Sequence, residues 1–184
     1  NEGSVKSTIA FYNYGTVGQN EIDHCVGVNN YDDMVIPEME FTSNDRMVAF
    51  GDTKAVIFEG AQKPQAIAEI PMDEKTKSIF YNEHYIGIVT GNEDEAVTNH
   101  LAVYDENGKL VMEKDFGLDY SSIEFLTNNE ICIRNANVCD IYTVHGVYKF
   151  HHEFEEELFE IIPGKLKLNY TLVLKDTTQR IRLK

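Results

Sequence analysis

Residues 77–90 read KSIFYNEHYIGIVT, and nearly the same phrase is written at 38–50 (EMEFTSNDRMVAF) and at 122–134 (SIEFLTNNEICIR). In each copy a short run ends in Phe, a turn containing Asn follows, and an alternating apolar run comes next. Period-2 alternation in runs rich in Val, Ile, Tyr and Phe, bounded by Asn, Asp or Gly, is the pattern of strands joined by tight turns. Phe41, Phe80 and Phe125 close the first runs and stand about 40 to 45 residues apart. Asn44, Asn82 and Asn128 sit in the turns, and Met47 to Phe50, Tyr85 to Val89 and Ile131 to Ile133 form second runs.

Third runs close on Phe58, Tyr104 and Tyr142, and fourth runs hold Ala66 to Ile70, Leu110 to Glu113 and Val147 to Phe150. Asn107-Gly108, between two alternating stretches, favours a hairpin turn with positive φ. Four antiparallel strands in about 40 to 45 residues make a unit the size of one β-propeller blade. Such a sheet has two faces and cannot cover both itself, so the Phe and Tyr of equivalent positions are expected to pack between neighbouring sheets. The fold class expected is all-β, with four-stranded antiparallel blade repeats in a partial or small β-propeller. Boundaries fall at 7–32 (partial blade), 33–73, 74–118 and 119–156 (blades) and 157–184 (partial blade). FEEELFEII, ahead of Pro163, leaves a short helix open as an alternative to strand.

The chain has 184 residues and a formal net charge of −15, with ten Tyr, ten Phe and no Trp. Such an acidic surface repels phosphate backbones and anionic lipid, which excludes nucleic-acid and membrane-surface binding as expectations. No apolar run approaches the length of a membrane span, so membrane insertion by this segment is not expected. Locally the balance reverses: the last twenty residues, KLKLNYTLVLKDTTQRIRLK, are basic, and their interleaved aliphatics read as strand. Cys25, Cys132 and Cys139 are too few for a disulfide-stapled domain and are expected to be free, buried thiols. The first residue is Asn, which reads as a piece of something longer, and open blade edges in such a piece are expected to self-associate.

FTSNDRMVAFGDTKAVIFEG and HLAVYDENGKLVMEKDF resemble the blades of propellers without the Trp-Asp signature, of the quinoprotein-like and TolB-like kind. More narrowly, the chain resembles an uncharacterised family of Gram-positive gut bacteria with an N-terminal membrane anchor and an extracytoplasmic propeller. That resemblance implies an extracytoplasmic location in a membrane-anchored parent. It carries over no functional residue.

Few chemical motifs are present. His151, His152 and Glu153 are consecutive and on a strand would point to alternating faces, so no metal site is expected there. The acidic stretches GNEDEAVTN and YDENGK lack a calcium-loop spacing. There is no nucleophile elbow and no phosphate loop, and no cofactor is expected. Tyrosines near run ends, Tyr81 and Tyr120 among them, are candidates for stacking on a peptide or sugar. The first runs carry Glu38, Glu40 and Glu124, and the last unit Glu160. Glu40, Glu124, Tyr81 and Tyr120 are therefore the candidate ligand-binding residues. The function expected is a non-catalytic module binding a protein, peptide or glycan. The alternative is a propeller hydrolase or lyase with carboxylates lining a central channel.

Overall fold

The computed structural model describes residues 5–12, 25–91 and 99–183, and every regular element among them is a strand. A hairpin comes first, β1 (Lys6–Tyr12) with β2 (Cys25–Asp32). Three four-stranded antiparallel sheets follow in chain order. The first is β3 (Glu38–Ser43), β4 (Arg46–Phe50), β5 (Lys54–Glu59) and β6 (Gln65–Pro71). The second is β7 (Thr76–Tyr81), β8 (Tyr85–Gly91), β9 (Asn99–Asp105) and β10 (Leu110–Phe116). The third is β11 (Ser122–Phe125), β12 (Ile131–Asn135), β13 (Val138–Tyr142) and β14 (Tyr148–Glu153). A three-stranded sheet ends the chain: β15 (Leu158–Pro163), β16 (Asn169–Leu174) and β17 (Thr178–Arg182). FEEELFEII thus closes in strand β15, where Leu158 and Ile161 turn inward against the core.

Within each four-stranded sheet the two middle strands are buried on both faces, as in RMVAF and KAVIFE, whereas the outer strands alternate between covered and exposed residues. This is why the middle strands read as continuous apolar runs: residues on both of their faces are withdrawn from solvent. The strand ladder also kinks at one recurring place. A β-bulge stands near the third hairpin of every complete sheet, at Ile57/Phe58, Leu110/Met112 and Ile141/Tyr142. Each bulge adds local twist, which a stacked blade requires.

The repeated Asn acts through its side chain. Asn82 Oδ1 accepts from the backbone N–H of His84 and of Tyr85, both at 2.9 Å, closing the β7–β8 turn. Asn128 Oδ1 accepts from Glu130 N at 3.2 Å in the β11–β12 turn, and Asn82 Nδ2 donates to Asn129 Oδ1 at 2.8 Å, tying the two turns together. These are Asx turns, which is why Asn recurs in this slot. In the β3–β4 turn the contact is between side chains instead: the Ser43 hydroxyl donates to Asp45 Oδ1 at 2.9 Å.

The chain forms two compact units. Unit 1 takes in residues 1–74 with Glu106–Lys109, and its core lies between the β1–β2 hairpin and the β3–β6 sheet, built on Phe11, Met34, Met47, Val56 and Phe58. Unit 2 holds the rest of the chain and has two cores. Phe80, Leu101, Val103, Ile131 and Ile133 fill the space between the second and third sheets, and Cys132, Ile141, Leu158, Ile161, Tyr170 and Leu172 that between the third and the last.

Two expectations are corrected: Cys25, expected to be buried, is exposed at the start of β2, and the second concerns Phe41. Phe41 does not pack between sheets; it is 73% exposed. Phe11 occupies the inter-sheet space instead, edge-on to Phe58 with ring centroids 5.2 Å apart, and Phe41 is left on the wall of a cleft. Its counterpart Phe80 is buried and packs at a tilt against Phe125, with ring centroids 4.6 Å apart. Gly87 lies directly beneath the Phe80 ring, where a Cβ would come within 2.2 Å of Cζ. Gly87→Ala is therefore expected to lower unfolding free energy by about 1 to 3 kcal/mol, measured by urea denaturation, since Phe125 blocks the ring's retreat.

Candidate functional site

The sequence-predicted residues are distributed over both units. Glu40 lies on β3 of unit 1, opposite Val48 and partly buried. Glu124 lies on β11 of unit 2, where its Oε1 accepts from Arg134 Nη2 at 2.6 Å. Arg134 also donates to the carbonyls of Phe159 and of Leu158, so the pair pins β12 to the start of β15. Tyr120 places its hydroxyl 2.7 Å from Ser78 Oγ and packs its ring against Phe116, with centroids 5.7 Å apart. Tyr81 is partly buried on β7. Of the histidine pair, His151 Nδ1 meets Asp140 Oδ1 at 2.7 Å, while His152 packs on the rings of Phe150 and Phe154. The two rings do point to opposite faces. The acidic stretch at 92–98 lies outside the described residues.

Unit 1 has a cleft of about 330 Å³ walled by Phe11, Tyr12, Phe41, Asp45, Arg46 and Gln62. Its one cation is engaged: Arg46 reaches Glu59 Oε1 at 2.5 Å and the Glu106 carbonyl at 2.7 Å. The cleft offers an apolar wall without an available cation.

Unit 2 has a site of different character. Two clefts, of about 490 Å³ and about 610 Å³, share Gly164, Lys165, Leu166 and Asn169 of the β15–β16 connection. Glu130, brought in by the β11–β12 turn, is only 8% exposed at the floor of the first. Its carboxylate accepts from Lys149 Nζ on β14, and from the Tyr170 hydroxyl on β16 at 2.5 Å. Lys149 Nζ also lies 3.3 Å from the Tyr170 oxygen. Tyr170 is inward because β16 alternates, with Tyr170, Leu172 and Leu174 all buried.

Above this floor the surface is cationic. Lys165 and Lys167 line the first cleft, and Lys165, Arg180 and Arg182 the second. All four are exposed, and none holds an ion pair among the described residues. Leu166, between the two lysines, is 73% exposed. In a chain of net charge −15 this concentrates unpaired positive charge on one sheet. Among the described residues β17 is also an edge: it pairs with β16 on one side only, in a sheet of three strands that follows three sheets of four. Exposed N–H and C=O groups on such an edge are a template for another strand. Sequence reasoning passed over this site because it took the basic tail as strand alone; its signal was the local reversal of charge.

The buried network carries a pH signature. Burial alone would lower the Lys149 pKa, but its hydrogen bonds to Glu130 and Tyr170 and the Glu130 charge outweigh that and raise it. The Tyr170 phenol is raised by burial first and by Glu130 second, against an opposing pull from Lys149. Both groups hold their protons more tightly folded than unfolded. Their stabilisation is complete below their ordinary values, near about 10, and is lost as pH rises through the folded values. The urea midpoint is expected to fall as pH rises above about 10, and Tyr170→Phe to flatten that fall.

A family model described as a family of unknown function (DUF5711) matches residues 1–183. No curated protein matches the chain. Among solved structures, it is similar to the WD40 domain of SCAP from fission yeast, with a TM-score of 0.51 and 9% identity over 82% of this chain and 42% of that one. A eukaryotic initiation factor gives a TM-score of 0.51 at 10% identity, covering 78% of this chain and 42% of that one. BBS1N, solved in complex with ARL6DN, gives 0.50 at 12% identity, covering 82% and 52%. WD40 domains are β-propellers, and the blades described above have that fold. The chain spans about half, or less, of these structures' length: 52% of BBS1N and 42% of the other two.

Proposed function

We propose that this chain, which belongs to that family of unknown function (DUF5711), is a non-catalytic interaction module binding an acidic, extended segment of a protein or peptide at the β17 edge. The observation that carries this is the coincidence, among the described residues, of an unpaired strand edge with four exposed cations that no carboxylate neutralises. Strand addition draws affinity from main-chain hydrogen bonds, and flanking side chains select the partner. Arg180 and Arg182 project from the same face of β17 by alternation, and carboxylates at every second position of an added strand would meet them. A glycan partner would need a stacking ring. The nearest one here, Tyr170, is buried with its hydroxyl committed to Glu130.

A hydrolase or lyase reading gains less support, because Glu124 is held by Arg134. The resemblance to membrane-anchored propellers supports an extracytoplasmic position within a longer parent. No helix among the described residues is long and apolar enough to cross a membrane. Without a partner strand, the same edge is the place for a second copy to pair, and light scattering on the eluting peak is expected to give the mass of at least two chains.

The test uses a fluorescent, alternating Glu–Val peptide of about ten residues, a strand's length. Anisotropy titration is expected to show binding that weakens with salt, and a loss of at least about tenfold in Arg180→Glu/Arg182→Glu, equivalent to about 1.4 kcal/mol. Equal affinity in the double variant would sink the proposal.

A further inference from the structure

Cys132 and Cys139 meet in the core of unit 2. Cys132 stands opposite Ile141 and Cys139 opposite Arg134 in the β12–β13 ladder, so the two thiols lie two residues apart on one face of adjacent strands. Their sulfurs are 3.6 Å apart. Both side chains are fully buried, packed with Ile141, Phe154, Leu158 and Leu172. A two-residue turn joins the strands, with Ala136 at φ 47°. Cys25, by contrast, is exposed.

We propose that Cys132 and Cys139 form an intrachain disulfide, acquired as the β12–β13 hairpin assembles. A bond needs the sulfurs at about 2.05 Å, so the gap to close is about 1.5 Å, shared between two side chains that already face each other. The oxidant is a small-molecule or protein disulfide. The Cys132 thiolate attacks it, forming a mixed disulfide and releasing one thiolate. The Cys139 thiolate then attacks the Cys132 sulfur, forming the intrachain bond and releasing the second. The protein gives up two electrons and two protons, and the donor disulfide becomes two thiols.

Folding gates the reaction. In the finished core no oxidant reaches either sulfur, and the Cys139 thiol is pushed up by its hydrogen bond with Cys132 and by burial, which suppresses the thiolate. The bond therefore forms before burial is complete, and the same burial then shields it from reductants. This inference rests on the hairpin alone and does not depend on what binds at β17.

The test is refolding of Cys25→Ser from urea in oxidised glutathione, followed by alkylation in denaturant and intact-mass measurement. Cys25 is exposed, so its replacement leaves the core unchanged. The expected product has no alkylatable thiol, no glutathione adduct and a mass about 2 Da below the reduced chain. Trypsin cuts after Arg134, between the two cysteines, so the product must also yield the two flanking peptides joined. The same oxidant added to the already folded, reduced protein is expected to leave both thiols alkylatable once denatured. Two alkylatable thiols after refolding, or a stable glutathione adduct on either cysteine, would overturn the proposal.

Discussion

Phe58→Ala is expected to lower the free energy of unfolding by about 3 to 5 kcal/mol, the range for deleting a fully buried aromatic ring. Phe58 is 0% exposed, sits on a middle strand covered on both faces, and meets Phe11 edge-on. The hole left behind is walled by Phe11, Met47 and Val56, held in paired strands that cannot collapse into it. Phe41→Ala is the control within the same sheet. Phe41 lies on a solvent-facing wall, and its loss is expected to change stability by no more than about 0.5 kcal/mol. Urea denaturation of the two variants side by side measures both. Comparable losses would mean that Phe41 packs between sheets after all.

Glu130→Ala is expected to cost about 3 kcal/mol, at the lower end of the range for breaking a buried pair because Lys149 keeps about a fifth of its side chain in solvent. Removing the carboxylate leaves the ammonium with the Tyr170 oxygen as its remaining partner and leaves the Tyr170 hydroxyl without its acceptor. The double variant Glu130→Met/Lys149→Met is expected to recover most of that loss, since no uncompensated charge remains. Urea midpoints of Glu130→Met, Lys149→Met and the double give the coupling. A single as mild as the double would show the network to be solvated rather than buried.

Much of the architecture was legible before any coordinates. Turn chemistry at Asn82 and Asn128 is local, as are the continuous apolar runs of middle strands, and both are written directly in the residues. What was not legible depends on which sheet covers which. Phe41 and Phe80 hold equivalent places in the repeated phrase, yet one is exposed and the other buried, because Phe11 takes the inter-sheet space in unit 1. Glu124 and Tyr120 stood out for their chemistry, and their partners Arg134 and Ser78 could be known only from the register and from the packing of neighbouring elements. The cationic surface followed the same rule in reverse. Its charges were visible as a basic tail, but an unpaired edge is a property of the sheet rather than of the strand that forms it.

The measurement that bears most directly on the interaction module is backbone amide exchange across residues 178–182, with and without the alternating Glu–Val peptide. Slowed exchange in β17 on peptide addition, abolished in Arg180→Glu/Arg182→Glu, is the expected result, because strand addition pairs N–H groups that solvent now holds. Unchanged exchange in β17 at a peptide concentration that saturates the anisotropy signal would contradict it and place the binding surface elsewhere on the blades.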